Sequence, residues 1–192
     1  TEYLFLQQGE YPSEAKQVEV YRRAITTLAG RPLVVRSFDL GSDKAAPDAA
    51  PEANPALGVR GLRLSLEKPA ILRAQFRALL AVSTLGPVWV MVPMIASVEE
   101  FEVARSIWNQ AKTDLRRKKI PFDSKAKFGL MIETPAAVRM AYELAQRADF
   151  FSVGTNDLVQ YTTAVDRGNQ RLQSLQHHWH PALWRQLDDI VK

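Results

Sequence analysis

The 192-residue sequence predicts an α/β domain built on a parallel sheet or barrel, and three observations predict it. Short β-rich apolar runs alternate with longer segments of helical periodicity. The runs are almost continuously apolar, as expected of strands covered on both faces. Three of them pass directly into polar residues at their C-terminal ends. In series the elements read β, α, β, α, β, α, which calls for right-handed crossovers between parallel strands.

Each element has its own justification. The strands are Leu33-Val34-Val35, Val88 to Val92, Phe128 to Ile132 and Phe150 to Val153, with Tyr3 to Leu6 as the tail of a further one. A first helix carries Val18, Tyr21, Ile25 and Leu28 at spacings of three and four, with Ser13 as N-cap and Gly30 as the stop. A less regular stripe from Ile71 to Leu80 gives a second. The next opens with Ser97 and Glu100 in a capping-box spacing, continues through Phe101, Ala104, Trp108, Ala111 and Leu115, and ends before Pro121. A fourth begins at Pro135, allowed in the first helical position, and runs through Ala137, Met140, Ala141 and Leu144. Ala45 to Leu57, with prolines at 47, 51 and 55, is a loop that follows a strand and so lies on the face where α/β folds place ligands. Pro181 starts a last helix.

Composition bounds the chemistry. With 46% hydrophobic and 24% charged residues the chain can bury a core, and no stretch approaches the roughly 20 apolar residues of a membrane span. Thr1-Glu2-Tyr3 lacks the plan of a signal peptide, so a cytoplasmic location is the expectation. No cysteine is present, which leaves oxygen and nitrogen groups and hard cations. The net charge of +4 has a local origin: Lys112 to Lys127 holds seven basic and two acidic residues. We read that run as a solvated helix end rather than a nucleic-acid patch, because Phe122 is the single aromatic within it.

The strand ends gather the chemistry. Leu33-Val34-Val35 runs into Arg36, Asp39, Asp43 and Lys44; Phe128 to Ile132 into Glu133-Thr134-Pro135; Phe150 to Val153 into Gly154-Thr155-Asn156-Asp157. Parallel strands bring these ends to one face, as an anion and metal pocket. Glu133 and Asp157 suit Mg2+, which takes one or two carboxylates plus waters and substrate oxygens, although each alone could simply charge the first turn of a helix. Asn156 offers an amide donor or a turn residue. Arg36, Arg60 and Arg167 offer planar forks for phosphate and carboxylate oxygens, Gly58 could permit a close turn before Arg60, and Arg63 reads as a surface salt bridge. His177-His178-Trp179-His180 reads as a partly exposed tail rather than a metal or phosphohistidine site.

The segment Gly154-Thr155-Asn156-Asp157-Leu158-Val159-Gln160-Tyr161-Thr162-Thr163-Ala164-Val165-Asp166-Arg167-Gly168-Asn169 resembles the signature of the Enzyme I family of the bacterial phosphoenolpyruvate:sugar phosphotransferase system. Glu133 to Ala137, Val35 to Asp39 with Asp43-Lys44, Asn54-Pro55 with Gly58 and Arg60, and Thr1 to Phe5 are similar to the same family in the same order. The resemblance spans essentially the whole chain. It implies an incomplete (β/α)8 TIM barrel over residues 1–192, a single partial domain of a longer parent, that binds phosphoenolpyruvate and magnesium. By matching positions it implies Glu133 and Asp157 as metal ligands, and Arg36, Arg60, Asn156, Asp157 and Arg167 as phosphoenolpyruvate contacts. It further implies transfer to a histidine on a separate domain, then to the carrier HPr, in a homodimeric parent, with no membrane or nucleic-acid partner. The family's arginine before Thr1, its later cysteine-bearing strand end and its phosphohistidine domain are not in this sequence. No catalytic residue is therefore assigned within it. A pyruvate phosphate dikinase or phosphoenolpyruvate synthase has a similar barrel, and a non-catalytic phosphoenolpyruvate sensor or dimerisation module would keep the same pocket.

Overall fold

The computed structural model describes residues 1, 10–40 and 52–192. The expected strand tail at Tyr3 to Leu6, Asp43, Lys44 and the first part of the Ala45 to Leu57 loop lie outside these residues. In order, the described elements are α1 (Glu14–Thr27), β1 (Leu33–Arg36), α2 (Leu62–Glu67), α3 (Pro69–Val82), β2 (Val88–Val92), α4 (Val98–Arg117), β3 (Lys127–Ile132), α5 (Pro135–Arg139), α6 (Ala141–Ala145), β4 (Phe151–Val153), α7 (Thr155–Thr163) and α8 (Pro181–Val191). Short 3-10 turns at Pro55–Leu57, Ser83–Leu85 and Gln170–Leu175 join them.

The four strands form one parallel sheet in the order β1-β2-β3-β4, with Leu33 opposite Val88, Val90 opposite Phe128 and Leu130 opposite Phe151. Sequential neighbours in a parallel sheet require a crossover after each strand, and helices supply it each time. The sheet curls into half of a barrel, an α/β arrangement matching the expected incomplete (β/α)8 barrel. Among the described residues no helix is long and apolar enough to cross a membrane.

The core lies between the outer face of the sheet and α1, α3 and α4. Val88, Val90 and Val92 are fully buried there, and Phe128 stacks on Phe101 and Trp108 at centroid distances of 5.4 and 5.2 Å. Phe76 meets Trp108 and Phe128 edge-on, at 5.4 and 5.5 Å, closing the cluster from α3. The inner face is different. Val34 on β1 remains 48% exposed, and Trp89, Met91 and Met131 are half-buried, so the strands are covered fully on one face rather than on both as expected.

Local chemistry sets the boundaries. The Ser13 hydroxyl accepts from the Lys16 N–H to start α1, and Ala29 and Gly30, both left-handed at φ 49° and 87°, stop it. Ser97 and Glu100 make the reciprocal capping box of α4. The single helix expected from Pro135 is two: the chain breaks at Met140, where φ is −107° and ψ 16°. Gly58 adopts a negative φ of −93°, and the left-handed turn instead falls at Gly61, φ 56°. A Cβ there would lie 2.9 Å from the Met94 side chain and 3.1 Å from Asp39 Oδ1, so Gly61 is required for space as well as conformation.

Candidate phosphate and metal site

All four strands present their C-terminal ends at one rim of the sheet. Beyond β1 come Arg36 and Asp39, beyond β2 Met94, beyond β3 Glu133, and beyond β4 Gly154 to Asp157. The Ser37 N–H donates to the Met91 carbonyl and the Gly154 N–H to the Ile132 carbonyl, each at 2.9 Å, extending the ladder past the strands and fixing where these side chains emerge. Arg36, Asp39, Glu133, Asn156, Asp157 and Arg167 line one cavity of about 330 Å³. Arg36, Glu133 and Asp157, far apart in sequence, thus share one pocket.

Glu133 is 1% exposed. Its Oε1 accepts from the Met94 N–H at 2.7 Å, and Met94 holds φ 57°, a left-handed conformation unusual for a non-glycine residue. Gly154 makes room for the other oxygen, since a Cβ there would lie 2.6 Å from Glu133 Oε2. Burial pushes the Glu133 carboxyl up to about 8; the Met94 N–H opposes this, while repulsion from Asp157 and Asp39 adds to it. Thr134 holds the following turn, donating to the Ile95 carbonyl at 2.7 Å and accepting from the Ala137 N–H at 3.1 Å.

The arginines divide into two kinds. Arg36 and Arg167 stand at the cavity wall with side chains 24% and 34% exposed, pairing with Asp39 at 3.2 Å and Asp157 at 3.3 Å. Arg60 lies behind it, 3% exposed, and donates to both oxygens of Asp39 and both of Asp157. Burial lowers its affinity for the proton, but Asp39 and then Asp157 outweigh this and raise it above the ordinary guanidinium range. Arg60 also donates to the Tyr161 hydroxyl at 3.3 Å, which donates in turn to the Ala56 carbonyl at 2.5 Å. Tyr161 thereby ties the described end of the proline loop to the site, and burial raises its own pKa. The structure thus places Arg60 as the brace of two carboxylates, set back from the cavity wall.

Asp39, Met94 and Tyr161 are the site residues that strand-end reasoning passed over or left unassigned. Asp39 was visible in the sequence as a strand-end carboxylate. Met94 contributes a backbone N–H, which no side-chain pattern announces. Tyr161 lies on α7 one turn beyond Asp157, an i, i+4 relation that could have suggested it. Among the remaining residues, Arg63 donates to the carbonyls of Leu57 and Gly58 rather than to a carboxylate. A larger groove of about 440 Å³ runs along the outer face of α4, but its Arg73 and Arg117 are engaged by Asp114.

The donor set suits a small hard cation. Among the described residues no group of three or more His, Asp or Glu is arranged to hold a metal, yet Mg2+ requires only one or two protein carboxylates. Glu133 and Asp157, both on the cavity wall, supply the oxygen donors.

A family model described as "PEP-utilising enzyme, PEP-binding domain" matches residues 1–192. Curated relatives include the phosphoenolpyruvate-protein phosphotransferases of Streptococcus equinus, 39% identical over 196 residues, and of Lactococcus lactis subsp. cremoris and Haemophilus influenzae, each 40% identical over 196 and 193 residues. In each case all of this chain is covered but only 34% of the relative, so the chain spans about a third of their length. The half-barrel, its rim of paired arginines and carboxylates, and a match over every residue together establish that the chain belongs to the PEP-binding domain family of the PEP-utilising enzymes.

Proposed function

We propose that this chain binds phosphoenolpyruvate with Mg2+ at the rim cavity, and that its parent protein is a phosphoenolpyruvate-protein phosphotransferase. In that parent the phosphoryl group passes to a protein histidine and on to HPr for sugar uptake. The observation that carries the reading is the meeting of Arg36, Arg167, Asp39, Glu133 and Asp157 on the wall of one cavity of about 330 Å³, with Arg60 bracing two of the carboxylates from behind.

Charge supports the ligand class. The three arginines outnumber Asp39 and Asp157, and Glu133, its carboxyl pushed up to about 8, adds little negative charge near neutral pH, so the site is slightly positive before a ligand enters. A phosphate monoester brings roughly −1.5 to −2, and a neighbouring carboxylate brings more. A divalent cation on Glu133 and Asp157 offsets that load; when bound, it supplies charge neutralisation on phosphoryl and carboxylate oxygens. Arg36 and Arg167, at the wall, present forks to the same oxygens, and Asn156 presents an amide donor. Arg60 acts through Asp39 and Asp157, holding both carboxylates in register. Transfer breaks the bond from phosphorus to the enol oxygen and forms one to the histidine nitrogen, leaving enolpyruvate to take up a proton as pyruvate. This chain's residues bind and orient the donor; the accepting histidine belongs to another part of the parent.

Calorimetric titration of the chain with phosphoenolpyruvate, in Mg2+ and separately in EDTA, tests the binding claim. Saturable binding is expected only with Mg2+, weakened at least about tenfold by Arg167→Ala through loss of charge-assisted hydrogen bonds. Absence of binding with Mg2+, or affinity unchanged in an Arg36→Ala/Arg167→Ala double variant, would overturn it. Phosphorylation of HPr by the full-length parent tests the transfer claim separately.

A further inference from the structure

We propose that His178, in a segment that looks like an incidental histidine tail, is a positioning residue that fixes which end of the Asn156 carboxamide faces the cavity; this rests on the phosphoenolpyruvate-binding reading above. The His178 Nε2 lies 2.9 Å from Asn156 Oδ1 across 22 residues of sequence. A carboxamide oxygen has no hydrogen to give, so the imidazole donates and its proton sits on Nε2. Asn156 lines the cavity and His178 does not. His178 therefore reaches the pocket only through Asn156.

The histidine is held in place from both sides. Upstream, Asn169 caps the 3-10 turn Gln170–Leu175 by accepting from the Arg171 N–H at 3.0 Å. Downstream, the His180 N–H donates to the His177 carbonyl at 3.1 Å, and His180 Nδ1 caps α8 by accepting from the Ala182 N–H at 3.2 Å. The α8 helix is bound to α7 by Thr162 donating to Gln186 at 2.8 Å, and α7 carries Asn156 in its first turn. His178 and Asn156 thus belong to one fixed corner of the fold.

The consequence is chemical. Phosphate and carboxylate oxygens accept hydrogen bonds, so only the NH2 end of Asn156 is useful to them. An exposed asparagine left alone samples both orientations, and ordering it on binding weakens affinity by about 3- to 10-fold. With Oδ1 occupied by His178, the NH2 group is committed to the pocket before the ligand arrives.

The test uses the 192-residue chain, four single variants and one double variant. Gln places an N–H donor where His carries Nε2; Asn is too short to reach it, and Leu has no donor. Nitrogen-15 relaxation of the Asn156 side-chain amide, assigned by its loss in Asn156→Ala, is expected to show an ordered group in the unsubstituted chain and in His178→Gln, and a mobile one in His178→Leu and His178→Asn. Phosphoenolpyruvate affinity in Mg2+ should fall about 3- to 10-fold in His178→Leu, return in His178→Gln, and fall no further when His178→Leu is added to Asn156→Ala. An Asn156 amide equally ordered without His178, or an affinity loss undiminished in the Asn156→Ala background, overturns the proposal. If the unsubstituted chain binds no phosphoenolpyruvate, the functional reading fails instead, and the relaxation measurement alone then decides whether His178 positions Asn156.

Discussion

Glu133 is the residue on which site and stability meet. A carboxyl with an ordinary value of 4.5 is held at about 8 in the folded chain, by burial first and by the neighbouring aspartates second. Between those two values the folded state holds a proton that the unfolded state has released, so stability falls as pH rises across that window and levels off above it. Glu133→Gln keeps an oxygen for the Met94 N–H and removes the titration. We expect its thermal midpoint to be flat from pH 5 to 8, where the parent chain declines, with an advantage at pH 8 on the order of 1–3 kcal/mol. A decline of the same size in the Gln variant would remove Glu133 as its source. The same substitution should abolish Mg2+-dependent phosphoenolpyruvate binding, separating stability from function as at other sites that carry buried charge for chemistry. Glu133 and Asp157 were legible because both stand directly after apolar runs. The support of Glu133 was not legible, since a backbone N–H on a left-handed Met94 leaves no trace in residue type.

Elements are pinned by charge as well as by the aromatic cluster. Asp114 on α4 accepts from Arg73 at 2.7 and 2.6 Å and from Arg77 at 3.2 Å, and Arg77 also reaches Glu14 at 2.6 Å, so one network joins α1, α3 and α4. The hydrogen bonds from Arg73 hold the Asp114 carboxyl below its ordinary range, and those from Arg77 add to this. The sign is opposite to that of Glu133: the stabilisation is present above the ordinary carboxylate range and is lost as pH falls through the lowered value. Asp114→Asn should cost about 1–2 kcal/mol at pH 7, measured by urea unfolding, and almost nothing in strong acid, where the parent's own carboxylate is protonated. An equal cost at both pH values would show packing rather than charge at work. Most element ends were legible at this scale because they are written in local chemistry: Ser13, the Ser97–Glu100 box, Pro135 and Pro181 each mark a helix start. The break at Met140 was not, as no glycine or proline marks it. Its two halves serve different neighbours, α5 packing on α7 and α8 while α6 packs on α4 and α8, so the break belongs to tertiary structure.

At the scale of the whole molecule, the sheet has one finished face and one unfinished face. Apolar runs alone suggest strands covered on both sides, because sequence records how apolar a strand is and not what stands opposite it. Here the outer face is sealed by helices while Val34 is 48% and Val153 37% exposed on the strands. The basic run, expected to be solvated, also does more than carry charge: Lys112 lies over Trp108 at 5.1 Å, Arg116 over Phe122 at 5.4 Å and Lys127 over Trp89 at 4.2 Å, shielding aromatic faces from water. That leaves Val34 on β1, on the inner face, as the most exposed apolar side chain of the described strands. Apolar surface left open on a sheet face favours contact with another copy. The chain should therefore associate reversibly as its concentration rises in sedimentation velocity, and Val34→Lys should shift it toward the monomer while leaving its unfolding midpoint nearly unchanged, since the side chain is half in solvent already. A chain that stays monomeric throughout, or a Lys variant that associates just as strongly, would mean that this face is quiet and that the association-prone surface lies elsewhere.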